Sequence, residues 1–334
     1  MVSVSSAVAL RPYRDEDEIA VLDLLTVSLG GGPAGRRPPE FFRWKHLENP
    51  FGRSYMLLAE TEGMVVGFRS FMRWKFELSG GSVRAVRAVD TATHPDYQGL
   101  GIFRRLTTTA IEELRSEADL IFNTPNDKSL PGYLKMGWRT VADMPIRVRV
   151  RRPIRFIRHL GSRRDATEPL SGRQAKPDDS ALSEAANLAT EGNEHSLTTA
   201  RGGKFLRWRY HDIPLLSYRV AEERDDRGTL QGAAVYRIRP RGRLQEAMVV
   251  ELFVGPGDRA CASRLLRRVS KEADVDHLTC SFPRGSVQAG AAWRAGFLPS
   301  PEGPTLVANP LGEVAVDVFS VASWSLSLGD LEVF

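Results

Sequence analysis

The chain has 334 residues, 42% of them hydrophobic and 26% charged, a balance ordinary for a globular protein and a length that suits two cores rather than one. Two cysteines with no histidine cluster nearby exclude a disulfide framework and argue against a metal centre. No apolar run reaches the roughly eighteen residues of a membrane span, and the first residues lack the basic-then-apolar order of a secretory leader, so a cytoplasmic protein is expected.

In chain order, Val8 to Tyr13 reads as a first strand. Asp15-Glu16-Asp17-Glu18 starts a helix with acidic residues in its first turn, which stops at Gly30-Gly31-Gly32-Pro33. A second helix is expected over Pro39 to Leu47. Two short strands, Tyr55 to Ala59 and Met64 to Phe68, flank the turn at Glu62-Gly63. The apolar segment Ala85 to Thr93 then runs through His94-Pro95-Asp96-Tyr97-Gln98-Gly99-Leu100-Gly101 into an amphipathic stretch, Ile102 to Leu114. A strand, a glycine-rich loop and a helix N-terminus in that order make an anion site: glycines admit close backbone approach, and unpaired first-turn N–H groups face the ligand. A strand at Leu120 to Asn123, a short helix bearing Tyr133 and a strand at Val148 to Arg152 complete the set.

The net charge of +5 is carried mostly by arginine, and much of it gathers between Arg147 and Arg164. The alternation Arg147-Val148-Arg149-Val150-Arg151 fits a strand with one charged face leading into a linker. A patch for an anionic substrate is the sharper reading; nucleic acid is not expected, because aromatic platforms and a recognisable module are lacking. From Gly161 to about Asp179 the composition is that of a flexible connection.

The second half repeats the first. Phe41-Phe42-Arg43-Trp44-Lys45-His46 with Pro50 reappears as Phe205-Leu206-Arg207-Trp208-Arg209-Tyr210 with Pro214, at the same distances. Gly63 and Gly67 recur as Gly228 and Gly232, Asp90 and Pro95 as Glu251 and Pro256, and Gly137-Trp138 as Gly296-Phe297. Where the first half has Gln98-Gly99-Leu100-Gly101, the second has Asp258-Arg259-Ala260-Cys261, and Tyr133 gives way to Ala292 or Trp293.

Two motifs in the first half resemble the acyl-CoA core of the GCN5-related N-acetyltransferases, the GNAT family. The family loop, Arg/Gln-x-x-Gly-x-Gly/Ala, is matched by Gln98, Gly101 and the position of Phe103, where the family has a small residue. Its later signature is matched by Asn126, Ser129, Tyr133, Gly137 and Trp138. The resemblance implies an α/β (α+β) protein of two tandem GNAT-like domains, each a mixed, mostly antiparallel sheet flanked by helices. Residues 1–152 would hold the acetyl-CoA site, 153–179 the linker, and 180–334 a degenerate copy that does not bind CoA. The bulk of Phe103 either crowds the pyrophosphate or turns into the core beside Leu106.

Site roles follow from the same resemblance. Gln98, Gly99, Leu100, Gly101, Ile102 and Phe103 would present N–H groups to the pyrophosphate of acetyl-CoA. Ala92, Thr93, Asn126 and Ser129 would meet its pantetheine arm, with a backbone N–H near Ala92 or Thr93 at the oxyanion. Tyr133 is the candidate acid for the leaving thiolate. Asp90, acidic inside an apolar strand, is the candidate base, against a structural role that its counterpart Glu251 favours. His94 and His46 are expected to be structural, and neither Cys261 nor Cys280 a nucleophile. The acceptor is expected to be a primary amine of a small molecule; the ending Trp324 to Gly329-Asp330 resembles tandem members encoded with surface-polysaccharide genes and brings in amino sugars, and the arginines an anionic metabolite. The competing readings are a non-catalytic acyl-CoA sensor or scaffold and a tRNA-dependent aminoacyl transferase of the FemAB type. The sequence leaves the oligomeric state open.

Overall fold

The computed structural model describes residues 8–29, 38–78, 81–159, 177, 179–188 and 195–331. The glycine stop at 30–33, Arg163, Arg164 and most of the connection 161–179 lie outside them. The first half runs β1 (Ala9–Pro12), α1 (Glu18–Leu29), α2 (Pro39–His46), β2 (Tyr55–Thr61), β3 (Met64–Leu78), β4 (Gly81–Thr93), α3 (Ile102–Leu114), β5 (Leu120–Asn123), α4 (Leu130–Lys135) and β6 (Arg139–Asp143). Next come β7 (Arg147–Val150), α5 (Pro153–His159), α6 (Asp179–Leu188), β8 (Leu197–Thr199) and α7 (Gly203–Leu206). The second half continues with β9 (Arg219–Arg224), β10 (Leu230–Arg241), β11 (Leu244–Val254), α8 (Arg259–Glu272), β12 (His277–Cys280), α9 (Val287–Arg294), β13 (Leu298–Pro299), β14 (Thr305–Pro310), β15 (Trp324–Ser325) and α10 (Leu328–Leu331).

Two mixed sheets result. The first has the order β1-β2-β3-β4-β5-β14-β6, with β8 paired to the far end of β3 and to β15; the second has the order β9-β10-β11-β12-β7-β13. The stretch β2-β3-β4-β5-β14-β6 therefore has the same arrangement as β9-β10-β11-β12-β7-β13. In each, three antiparallel strands are followed by one parallel strand, β5 beside β4 and β12 beside β11. Each sheet also takes in strands from the other half of the chain, β14, β15 and β8 in the first and β7 in the second. The run at Val148, expected to close the first sheet, instead lies as β7 between β12 and β13 in the second, while β14 fills the corresponding place between β5 and β6. Alternation of residues fixes which face of a strand is buried but carries no information about its neighbour, which is why the reading placed β7 in the wrong sheet.

Two of the repeated glycines have a steric reason. A Cβ at Gly67 would stand 2.6 Å from Ile102 Cγ2, and one at Gly232 would stand 2.7 Å from Cys261 Sγ, so each glycine admits its half's long helix, α3 or α8, onto the sheet. The repeated Phe-x-Arg-Trp segment also has a packing role. Trp44 and Trp208 stack with ring centroids 4.7 Å apart and planes 15° apart. Each indole N–H donates to the other's backbone carbonyl, at 2.8 and 2.9 Å. The contact is unchanged when the halves are exchanged, and it sits in a core shared by Phe41, Trp74, Phe122, Phe205, Tyr210 and Trp324.

The arginine-rich stretch lies against the second half. Arg152 pairs with Asp274 and Asp276, Arg155 with Asp276, and Arg151 donates to Ser270 Oγ. The tail runs from β15 into α10. There Asp330 is buried against Arg201, and a Cβ at Gly329 would meet Tyr210 Oη at 2.2 Å. No described helix is long and apolar enough to cross a membrane.

Two outcomes follow from this architecture. Trp44→Ala or Trp208→Ala should each cost about 3–5 kcal/mol in denaturant unfolding, and the double variant less than the sum, since either change removes the same stack. Residues 1–159 made alone, lacking β14, should stay unfolded by circular dichroism and gain structure when 177–334 is co-expressed.

Candidate active site

β4 and β5 pair in parallel only from Ala85↔Leu120 to Arg87↔Phe122, although β4 continues to Thr93. From Ala88 onward that edge of β4 has no strand partner. On the other side, the ladder to β3 slips: Arg69 faces Thr91 and Ser70 faces Val89, leaving Asp90 as an extra residue with φ +36°. This bulge kinks β4 next to the open edge.

Beyond Thr93 the chain makes a turn over Pro95–Tyr97, with His94 Nδ1 accepting from the Asp96 amide at 3.3 Å, the structural place expected of it. Gln98 Nε2 donates to the Thr93 carbonyl at 3.4 Å, which also accepts from Ser28 Oγ at 3.1 Å. Gly99 and Gly101 follow with φ +80° and +74°. A Cβ at either would meet nothing within 4 Å, so it is the left-handed backbone, not crowding, that asks for glycine. Gly101 is the N-cap of α3 and offers no side chain to its amides. The first-turn N–H groups of Ile102, Phe103 and Arg104 therefore lack helical partners and face the glycine loop, the arrangement that holds an anion. Leu100 is 45% exposed at the tip, whereas Ala92 and Ile102 are buried. Phe103 takes the second of its two expected courses. It packs on the core that holds Leu106, edge-on to Tyr133 with centroids 5.8 Å apart.

Tyr133, on α4, is 5% exposed and packs against Trp138. Its hydroxyl accepts from Arg69 Nη1 at 2.8 Å. Asn126 and Ser129 form the turn that precedes α4: Asn126 Oδ1 accepts from both the Ser129 amide and its Oγ at 3.0 Å. Asn126 thus caps the turn that leads into α4.

Asp90 belongs to a buried polar cluster. Its Oδ2 accepts from Lys45 Nζ at 2.7 Å and from His46 Nε2 at 2.9 Å, and His46 Nδ1 lies 3.0 Å from Ser54 Oγ. Lys45 and His46 are 2% and 0% exposed. The sequence reading missed Lys45 and Arg69. Arg69 is a cation inside an otherwise apolar stretch, the signal that could have found it, whereas Lys45, between Arg43 and His46, carries no such mark.

The second half has the same frame with different chemistry. A cavity of about 570 Å³ opens where β11 leaves β12, lined by Glu251, Phe253, Gly255, Pro283 and Ser327 among others. At the helix beside it, the Asp258 carboxylate caps α8 by accepting from the Cys261 amide at 2.9 Å, so the place of an incoming anion is already filled. Phe297 N bonds to Ala292 O just as Trp138 N bonds to Tyr133 O, which makes Ala292 the counterpart of Tyr133 and leaves no hydroxyl there. Glu251 accepts from Tyr210 and Arg201, and burial pushes its carboxyl above the usual range. Burial likewise pushes Cys261 up to about 11 and Cys280 up to about 12, so both are thiols at neutral pH.

Comparison with known proteins agrees with this geometry. Residues 9–141 match the acetyltransferase (GNAT) domain family. Over 94 residues the chain is 30% identical to the L-amino acid N-acyltransferase MnaT of Escherichia coli (strain K12); the match covers 27% of this chain and 53% of that protein, so the chain spans about half the length of this curated relative. Among solved structures, a probable N-acyltransferase from Enterococcus faecalis V583 superposes with a TM-score of 0.65 at 14% identity, over 91% of this chain and 73% of that one. A GCN5-related N-acetyltransferase from Anabaena variabilis gives 0.62 at 11%, over 92% and 73%. At such identities these structures establish a shared fold, and the sequence match establishes the family: residues 9–141 of this chain are an acetyltransferase domain of the GNAT family.

Proposed function

We propose that the chain is an N-acyltransferase that moves the acetyl group of acetyl-CoA to a primary amine of a small molecule, both reactants bound together in the first half. One observation carries this reading: the bare N-terminus of α3, behind two left-handed glycines, stands at the open edge of β4 with Tyr133 nearby. Phosphate charge suits that helix end, and the unpaired edge of Ala88 to Thr93 suits the amides of an extended pantetheine arm. Phe103, turned into the core, leaves the loop clear and supports an enzyme over a scaffold.

In this reading the acceptor nitrogen bonds to the thioester carbonyl carbon. The C–S bond breaks with its electron pair passing to sulfur, and the ammonium proton passes to solvent. Tyr133 donates its hydroxyl proton towards the departing sulfur and recovers one from water. Asp90, with its Oδ2 engaged by Lys45 and His46, is assigned to holding the kink in β4 rather than to taking the proton. The second half serves as a copy that has lost its donor site, through Asp258 and Ala292, and walls the acceptor cleft. The name of the E. coli relative supports an amine acceptor such as that of an amino acid.

Calorimetric titration with acetyl-CoA tests the reading. Micromolar binding at one site per chain is expected, and Gly101→Glu should abolish it by straining the left-handed residue and placing a carboxylate at the anion site; full binding by that variant would place the donor elsewhere. Tyr133→Phe should keep the affinity and lower turnover about 10²–10⁴-fold. Asp90→Ala, which removes the buried carboxylate facing Lys45 and His46, should cost about 3–5 kcal/mol of stability in denaturant titration. If stability were retained and only turnover fell, Asp90 would be the base after all.

A further inference from the structure

Arg69 is a buried cation with no anion. It lies in the middle of β3, 0% exposed, and among the described residues no carboxylate stands within ion-pair distance of it. Its Nε and Nη2 meet no acceptor, and only Nη1 is engaged, with Thr91 Oγ1 and Tyr133 Oη. The rest of its surroundings are ring faces, with the guanidinium 4.4 Å from the centroid of Phe71, 5.5 Å from Phe103 and 5.2 Å from Tyr133. Such rings ease the burial of a cation but do not neutralise it. Two other buried basic groups have carboxylates, Lys45 with Asp90 and Arg201 with Glu251 and Asp330, whereas Arg87 donates to the main-chain carbonyls of Asp330 and Leu331.

The direction of the Tyr133 bond adds a second point. A guanidinium only donates, so the phenol oxygen accepts and its proton is left to point away from Arg69. Among the described residues that proton has no recorded acceptor. From the elements packed around the hydroxyl come Phe71 on β3, Thr91 on β4, Phe103 on α3 and Trp138 after α4, and among the described residues Arg69 is the ionisable group hydrogen-bonded to it.

We propose that Arg69 is the counter-charge of the leaving thiolate of coenzyme A, acting through the Tyr133 hydroxyl that stands between them. This rests on the reading of Tyr133 and the glycine loop as the acyl-donor site. The sulfur departs with the electron pair of the broken C–S bond, and the amine's proton has gone to solvent. Until the Tyr133 proton passes to the sulfur, the negative charge sits one hydroxyl away from a guanidinium that no other group among the described residues neutralises. The acetyl thioester is neutral at that position and draws nothing from Arg69; the thiolate does. Arg69 is thus a positioning residue whose charge acts where charge develops and not in the ground state. A unit charge at that separation in a partly buried site favours the thiolate on the order of a hundredfold. A thiol that titrates near 8.5 in water would accordingly bind as the anion near neutral pH.

Free coenzyme A and acetyl-CoA are the probes, titrated calorimetrically at neutral pH in two buffers of different ionisation enthalpy, so that protons released on binding are counted. Coenzyme A should release about one proton per site and acetyl-CoA none. Arg69→Gln should bind acetyl-CoA within about threefold of the parent, lose the proton release and bind coenzyme A roughly tenfold more weakly. Tyr133→Phe, which keeps the cation but removes the bridge, should lose most of the release and serves as the deciding variant if Arg69→Gln does not fold. Release that is absent in the parent, or unchanged in either variant, overturns the proposal. Failure of the parent to bind either probe overturns the donor-site reading itself, and this inference with it.

Discussion

The reciprocal contact of Trp44 and Trp208 is the constraint on which the rest of the molecule depends. Each tryptophan stands on the repeated aromatic segment of its own half and satisfies its indole N–H on the other's main chain. A buried indole without an acceptor is costly, so neither half can move without exposing or orphaning a donor in the shared core. The same short helix that carries Trp44 carries Lys45 and His46, whose side chains hold Asp90 at the bulge of β4. The inter-half contact and the kink beside the open edge of β4 are thus one mechanical unit. A displacement of α2 would be felt at Asp90 before it was felt at the glycine loop.

Strand exchange adds a second tie. Because β14 lies between β5 and β6, the first sheet beyond β5 is built partly from the C-terminal part of the chain, and β7 returns the arrangement to the second sheet. The last described helix, α10, completes the tie. Arg87, at the last paired position before β4 and β5 separate, donates to the carbonyls of Asp330 and Leu331, while Asp330 itself pairs with Arg201 in the second half. The fork of the first sheet and the buried acidic pair of the second therefore share the same few residues.

The sequence was a good guide wherever chemistry or symmetry is local. The glycine loop, the helix it opens and the position of Tyr133 follow from residues adjacent in the chain. The repeat follows from equal spacings, and its steric meaning at Gly67 and Gly232 is a close helix–sheet approach in both halves. Where the neighbour is distant in sequence, legibility ended. The alternating run at Arg147 to Val150 is a strand in either sheet, and only the completed fold decides which edge it meets. Asp90 presented itself as an isolated acid in an apolar strand, but its partners come from α2, more than forty positions away. Arg69 carried a weaker sign of the same kind, and pairing across β3 and β4 and with α4 was needed to give it a context.

The two halves share one sheet frame, and in the proposed reading the difference between the donor half and the other lies in very few atoms. Both long helices begin after a glycine in the left-handed region, Gly101 before α3 and Gly257 before Asp258 and α8. In the first, the cap has no side chain and the amides stay available to a ligand. In the second, one carboxylate closes the helix end from within, which stabilises the helix and removes the site in the same stroke. Loss of the phenol follows the same logic, since a tyrosine at Ala292 would bring a buried hydroxyl into an apolar core that includes Leu252, Phe282 and Phe297. Yet Glu251 and Tyr210 stay engaged at the position of Asp90 and His46. The second half keeps its polar pair under the aromatic segment. That is what would be expected if the pair in both halves serves the junction, with catalysis built on top of it in one.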